Sequence, residues 1–305
     1  MTRHRSKSRP ICIEGTGIGR VFVVALKSSI EWTESTWNPT TGCDRTSPGC
    51  DHCYALTLSR RLKAMGNPKY QVDGDPKTSG PGFGISLHPE QLALPHKWRT
   101  PRTIFVNSMS DLFHPQVPDE FILAVFEVME GTPRHTYQVL TKRTQRLSKL
   151  AARLPWPSNV WMGVSIENSK FAFRANHLRK VPAAVRFISA EPLLGPLQGV
   201  NLQGIHWLIA GGESGPGARP MHPRWVRDLR DQCVKDEVAF FFKQWGAWAP
   251  DNEKGAVPVS IEGVVLRDMP RVTVPGAPVQ MRRVGKGVAG RRIDNRTWNE
   301  MPTLN

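Results

Sequence analysis

From Ile30 onward, short apolar runs rich in β-branched and aromatic residues alternate with amphipathic stretches at helical spacing. That alternation restricts the chain to a β/α architecture built around a parallel sheet. The first strand is expected at Ile30–Thr33. The later ones are expected at Thr103–Asn107, Thr136–Thr141, Val160–Ser165, Val185–Ser189, His206–Ala210 and Val238–Lys243. Helices are expected at Tyr54–Met65, Asp119–Glu130, Thr144–Arg153, Ser169–Lys180 and Pro223–Asp236, several of them closed by glycine or proline. Two stretches fall outside the pattern: an excursion at Gln71–Gly84 and a loop-rich stretch at 249–280. With 305 residues and 39% hydrophobic content, the chain can bury a sizeable core. No apolar run approaches the length of about eighteen residues that a membrane span requires.

Directly after the expected first strand lies Gly42-Cys-Asp-Arg-Thr-Ser-Pro-Gly-Cys-Asp-His-Cys-Tyr54, which places Cys43, Cys50 and Cys53 in a C-x6-C-x2-C arrangement. Three thiols in a loop broken by Pro48, Gly49 and short polar residues suit a soft metal ion or an iron-sulfur cluster with an open coordination position. Zinc would take a fourth ligand such as His52 or Cys233 and close the site. Spacing alone leaves both open. Five cysteines, an odd number in a chain this long, argue against a disulfide scaffold. Cys233 shares a helix face with Trp225 and Leu229 and reads as core, whereas Cys12 has no visible partner.

The formal charge is +15, of which residues 1–27 carry +5 and the remainder +10. Val21–Leu26 imitates the apolar part of a signal peptide but is short and is followed by Lys27, so residues 1–27 read as a flexible basic extension. The excess in the body points to a polyanionic partner, with an ordinary solvated basic surface as the alternative. Lys97, Arg99 and Arg102 flank Trp98. Lys142, Arg143, Arg146, Lys149 and Arg153 form a second set, and Arg282 to Arg296 a third. Ten tryptophans would offer stacking platforms wherever they are exposed.

In a β/α barrel, ligands gather at the C-terminal ends of the strands. Here those ends read Asn107-Ser-Met-Ser-Asp111, Thr141-Lys-Arg143, Ser165-Ile-Glu167, Ser189-Ala-Glu191 and Gly211-Gly-Glu-Ser-Gly215. Each exit by itself matches a helix cap. Five in succession point to a site.

A cysteine loop after the first strand, followed by about six β/α units, resembles the radical S-adenosylmethionine (SAM) superfamily. Residues Ile30 to about Trp248 are most similar to a phage-associated group of three-Cys-motif proteins of unsettled function. Trp32-Thr-Glu-Ser-Thr-Trp-Asn-Pro-Thr-Thr-Gly-Cys43, Ser108-Met-Ser-Asp-Leu-Phe-His114, Val139-Leu-Thr-Lys-Arg143 and Gly211-Gly-Glu-Ser-Gly215 carry that resemblance. Leu-Thr-Lys after the third strand is also similar to the spore photoproduct lyase branch, which repairs DNA.

The implied fold is α/β, a partial (β/α)6-type TIM-like barrel over residues 28–248. The extension 1–27 would precede it and a loop-rich basic segment, 249–305, would follow. The implied cofactors are a 4Fe-4S cluster held by Cys43, Cys50 and Cys53, and SAM on the fourth iron. The usual spacing in that superfamily is C-x3-C-x2-C, so the six-residue gap and His52 depart from it. The letters of Gly211-Gly-Glu213 match a SAM amino-group motif but end the sixth strand instead of the second. By position, Asn107, Ser108, Ser110 and Asp111 take the amino-group role. Lys142 or Arg143 takes the carboxylate, Ser165 or Glu167 the ribose, and Gly211 and Gly212 allow close backbone approach. Tyr54 and Glu213 are candidates to line the cavity.

The expected function is generation of a 5'-deoxyadenosyl radical acting on a nucleic acid or nucleotide. The electron would come from a donor such as a flavodoxin or ferredoxin, in a reduced cytoplasmic setting and without a membrane. The alternative is a non-catalytic zinc or iron-sulfur protein that binds nucleic acid or serves as a phage-related interaction module.

Overall fold

The computed structural model describes residues 28, 30–250, 260–261, 264–265, 271–274 and 279–303. The expected basic extension, with Cys12, and much of the 249–280 stretch lie outside the described residues.

Seven strands form one parallel sheet in sequence order: β1 (Ser35–Trp37), β2 (Thr103–Val106), β3 (Thr136–Thr141), β4 (Val160–Ser165), β5 (Val185–Ala190), β6 (Trp207–Gly211) and β7 (Ala239–Gln244). Side chains alternate between its two faces, as the period of a strand requires. Ile104 and Val106 join the outer core under the helices, while Phe105 between them points inward. The sheet curls into a partial barrel, α/β in class. Trp32 marks the curl, since its ring lies 4.7 Å from Phe105 on β2 and 6.2 Å from Trp207 on β6. Trp32, Phe105, Trp161, Phe187, Trp207 and Phe241 fill the floor of the barrel.

The first strand lies later than expected. Ile30–Thr33 is a turn, with Thr33 N–H donating to Ile30 O, and it drives Trp32 into the floor. The strand itself is Ser35–Trp37, which pairs with Ile104, Phe105 and Val106. Burying an indole in the barrel outweighs the strand propensity of the apolar residues around it.

Helices cover the outer face: α1 (Tyr54–Ala64), α2 (Asp119–Glu130), α3 (Thr144–Leu150), α4 (Phe173–Leu178) and α5 (Pro223–Lys235). In α2, Ile122, Val125, Phe126 and Met129 are all fully buried, one per helical step on the inner face, and Asp119 and Glu120 sit favourably in the first turn. In α5, Pro223 occupies the first turn and His222 Nδ1 accepts from Arg224 N–H, which starts the helix. Val226, Leu229 and Cys233 face the core there; Trp225, expected on that face, is half-buried at its edge. Ser169–Lys180 is shorter than expected, a 3₁₀ turn at Ser169–Phe171 leading into α4. No helix separates β5 from β6.

The C-terminal segment, expected to be loop-rich, contributes strands of its own. β8 (Trp248–Pro250), β9 (Arg271–Val274) and β10 (Val279–Arg283) form an antiparallel sheet. Its tail then runs along β7. Phe242 N–H donates to Trp298 O, and Trp207 Nε1–H to Glu300 O. Lys286 pairs with Glu31 at 3.1 Å, linking this segment to the turn before β1. Among the described residues, no helix is long and apolar enough to cross a membrane.

Candidate functional site

The cysteine loop lies over the C-terminal ends of the strands, because every one of its anchors comes from a strand exit or from the Gln71–Gly84 excursion. Its first anchor is backbone shape. Gly42 has φ +90°, and a Cβ there would collide with Gly84 O. Only glycine adopts that conformation without strain while packing so closely. Cys43 N–H then donates to Phe83 O.

Glu167, at the exit of β4, is fully buried and accepts from Ser47 Oγ at 2.6 Å. Its carboxylate also pairs with Lys142 Nζ at 3.0 Å and with Arg174 at 2.9 Å. A Cβ on Gly49 would lie 2.6 Å from the Glu167 side chain, so the loop rests directly on it. Burial opposes ionisation of Glu167, but the two cations and Ser47 hold its carboxyl below the ordinary value.

On the other side, Glu213 after β6 makes a two-oxygen clamp on Arg219. Arg219 in turn donates to Pro48 O at 2.7 Å and reaches Asp51 at 3.3 Å. Asp44 accepts from Thr78, Ser79 and His114 Nε2 at 2.7, 2.9 and 2.9 Å. Since His114 Nδ1 accepts from Gln116 N–H, its Nε2 carries the hydrogen.

Within this frame all three thiols are free and half-buried. Burial, reinforced by Asp111 and opposed by Arg143, pushes the Cys43 thiol up to about 12. Burial also works against ionisation of Cys50, but Lys142 and hydrogen bonds from Thr46 and Ser47 bring its thiol below the ordinary value. Cys53 caps the N-terminus of α1. Burial raises it, partly offset by the Ala55 and Leu56 amides and by Lys142. The Arg143 guanidinium lies 3.9 Å from Cys43 Sγ and donates to Asp44 O at 3.1 Å. Among the described residues, no three His, Cys, Asp or Glu side chains are placed to hold a single metal ion. His52 is exposed and packs against the Gly217 backbone, while Cys233 is fully buried in the core.

Of the residues singled out from the sequence, Cys43, Cys50, Cys53, Lys142, Arg143 and Glu167 come together. Asn107, Ser108 and Ser110 instead face the segment after β1. Asn107 Nδ2 donates to Thr40, Ser110 Oγ lies 2.6 Å from Thr40 Oγ1, and Ser108 Oγ donates to Asn38. Asp111 accepts from Thr141, from Lys142 N–H and from Phe113 N–H, which ties the exits of β2 and β3 together. Ser165 is buried, its carbonyl accepting from Arg174. Gly211 and Gly212 approach this chain's own atoms: a Cβ on Gly211 would lie 2.7 Å from Glu191 Oε1, and one on Gly212 would strike Trp245 O.

The glycine at 211 permits a contact that sequence reasoning missed. Glu191 after β5 and Lys243 on β7 pair at 3.2 Å across the intervening strand. Ser189 Oγ supports Glu191 at 3.3 Å. Tyr54 donates its hydroxyl to Ser108 O and is 54% exposed. Ser47, Asp44, Arg174 and Arg219 were also not anticipated; the one available signal for Arg219 was Glu213, six residues before it.

The basic sets are largely occupied. Arg146 and Arg153 both pair with Asp119, and Arg102 stacks on Trp98. None of the ten tryptophans is exposed, eight being buried and Trp156 and Trp225 half-buried. The expected stacking platforms are therefore core.

A family model described as a protein of unknown function (DUF5131) matches residues 27–302. No curated protein matches the chain. Among solved structures, spore photoproduct lyase complexed with dinucleoside spore photoproduct is 13% identical, with a TM-score of 0.40 over 87% of this chain and 73% of that one. A cysteine-to-serine variant of the same lyase is 13% identical, with a TM-score of 0.42 over 86% and 72%. A variant with bound AdoMet and dinucleoside spore photoproduct is 12% identical, with a TM-score of 0.39 over 86% and 72%.

Proposed function

This chain belongs to the DUF5131 family of proteins of unknown function, and from the arrangement of its thiols we propose that it is an iron-sulfur, SAM-dependent radical enzyme. One observation carries the reading: three free thiols on a single clamped loop, over the mouth of a parallel β/α barrel, with Lys142 and Arg143 beside them. The donor set fits a 4Fe-4S cluster. Thiolates are its ligands, three of them leave one iron open, and two cations offset the charge such a centre concentrates. Cys43, Cys50 and Cys53 would hold it. Lys142 and Arg143 are the groups beside it that would pair with the SAM carboxylate.

The chemistry supplied at such a site would be one-electron reductive scission of the SAM C5'–S bond, giving methionine and a 5'-deoxyadenosyl radical able to remove a hydrogen atom from a substrate. The protein's own part is positioning and exclusion. Glu167 and Arg219 fix the loop from opposite sides, so the thiols keep their places without relying on the bound group. The aromatic floor seals the barrel from below. Glu191 and Lys243, side by side at the wall, present an acceptor and a donor to a polar substrate group. A nucleic acid or nucleotide is the substrate class we favour. The net +10 of the body supports it through charge, not through aromatic stacking.

The test is anaerobic reconstitution with iron and sulfide, followed by SAM and dithionite. The expected product is 5'-deoxyadenosine. Freshly purified protein carrying stoichiometric zinc, taking up no iron and yielding no 5'-deoxyadenosine, would overturn the reading.

A further inference from the structure

Three acids stand at successive strand exits, and only two of them hold the cysteine loop. Glu167 after β4 takes Ser47, and Glu213 after β6 works through Arg219. Glu191 follows β5, the strand between them, yet its side chain turns along the barrel wall to Lys243 on β7. Neighbouring strands lie about 4.8 Å apart, so the pair sits beside the exits that carry the loop.

The backbone is shaped to bring the two together. Ser189, Gly211 and Lys243 come two residues after Phe187, Ile209 and Phe241, which belong to the barrel floor. With a strand period of two, Ser189 and Gly211 share the inward face one step above that floor. Ala210 pairs with Phe242 but Gly211 with Gln244, which leaves Lys243 as an extra residue on β7. A bulge at a barrel rim re-aims a side chain. Gly211 keeps the path between β5 and β7 clear, since an added Cβ would lie 2.7 Å from Glu191 Oε1.

Their own contacts do not use the pair up. Lys243 Nζ has three hydrogens and, among the described residues, one partner, Glu191. The Glu191 carboxylate offers about four acceptor positions, and Lys243 and Ser189 Oγ take one each. Side-chain exposures of 19% for Lys243 and 15% for Glu191 leave the rest within reach of a ligand.

The two formal charges cancel, and that selects the ligand. A phosphate would meet the Glu191 carboxylate and a cation the Lys243 ammonium, and like charges side by side oppose binding. What fits is a neutral group with an N–H and an acceptor next to each other on one side. A backbone amide is trans and directs its N–H and C=O to opposite sides. A nucleobase holds donor and acceptor together on one edge, which acidic and basic side chains read by hydrogen bonds. Its pairing edge is free only when the base is unpaired.

We infer that Glu191 and Lys243 bind the pairing edge of an unpaired nucleobase, Glu191 accepting from its N–H and Lys243 donating to the neighbouring acceptor, with Ser189 fixing the carboxylate. This rests on the function proposed above, whose substrate class is a nucleic acid or nucleotide.

The probes are uridine and inosine, each of which sets an N–H beside a carbonyl, and 3-methyluridine and 1-methylinosine, in which a methyl group replaces that hydrogen. Binding to the anaerobically reconstituted full chain is followed by saturation-transfer nuclear magnetic resonance. Uridine and inosine should bind, their methylated forms about tenfold more weakly, and inorganic phosphate should not displace them. Glu191→Met should bind methylated and unmethylated forms alike, and Lys243→Met should bind uridine about tenfold more weakly than the wild type does. If the ion pair only braces the sheet, both variants melt earlier while Glu191→Met still discriminates, and the inference is overturned. Equal binding of methylated and unmethylated probes by the wild type, a result that needs no variant, overturns it too. So does displacement by phosphate, or no binding of either nucleoside. Edge-dependent binding together with no 5'-deoxyadenosine would leave the pair its role and sink the enzymatic reading; 5'-deoxyadenosine without edge-dependent binding would do the reverse.

Discussion

Ser47 and Glu167, 120 positions apart, are joined by a 2.6 Å hydrogen bond that fixes the middle of the cysteine loop to the end of the fourth barrel strand. Glu167 is fully buried, and its carboxylate also neutralises Lys142 and Arg174. The loop is therefore tied to a buried charge cluster in addition to its own turn hydrogen bonds, such as Cys50 N–H to Ser47 O.

Removing the shared member of that cluster leaves two cations uncompensated. Glu167→Ala should destabilise the chain by about 3–5 kcal/mol, against about 1.5–3 kcal/mol for Ser47→Ala, which loses one hydrogen bond to a charged acceptor. Urea unfolding of the metal-free protein measures both. Equal effects would mean that the cations find other partners.

Substituting each thiol by itself separates ligands from core. Cys43→Ala, Cys50→Ala and Cys53→Ala should each cut iron and sulfide uptake after anaerobic reconstitution and change the electron paramagnetic resonance spectrum of the reduced sample. Cys233→Ala, on the buried face of α5, should lower the melting temperature and leave uptake intact. Full iron loading of any of the first three would remove that residue from the ligand set.

Gly42→Ala should harm the loop more than its size suggests. The residue has φ +90° and its missing side chain faces Gly84 O, so alanine meets both backbone strain and a collision with main chain. The expected cost exceeds about 1 kcal/mol, together with faster proteolysis near residues 43–53. Gly66→Ala, also at positive φ but with open space around it, is the control for strain alone.

The tail on β7 should respond to pH through Asp294. Hydrogen bonds from Arg227, opposed by burial and joined by Arg230, hold its carboxyl below the ordinary value. A depressed carboxyl stabilises the fold above its unfolded value of about 3.9 and loses that contribution as pH falls through the folded value. Asp294→Asn keeps the positive φ that asparagine tolerates. Its melting temperature should fall below wild type at neutral pH, with the gap closing under acid. A gap that does not narrow at all as pH falls below about 3.9 would show that charge is not what Asp294 provides.

The seven-strand parallel sheet was legible because strand and helix periods differ and each buried face repeats locally. Thr136–Thr141 and Asp119–Glu130 lie where their patterns placed them. The first strand was not legible. Ile30–Thr33 has the composition of a strand, and only the barrel floor awaiting Trp32 decides that it turns instead.

The sequence by itself determined the β/α order, the three thiols in one loop after the first strand, and the run of polar strand exits. Tertiary structure alone decided which exits meet: Glu167 and Arg219 grip the loop, Asn107 and Ser110 turn away to Thr40, and Glu191 reaches Lys243 over Gly211. Period and turn chemistry are local, carried by residues a few positions apart. Which charge neutralises which across a barrel mouth is set by sheet curl and register, and no local pattern encodes those distances.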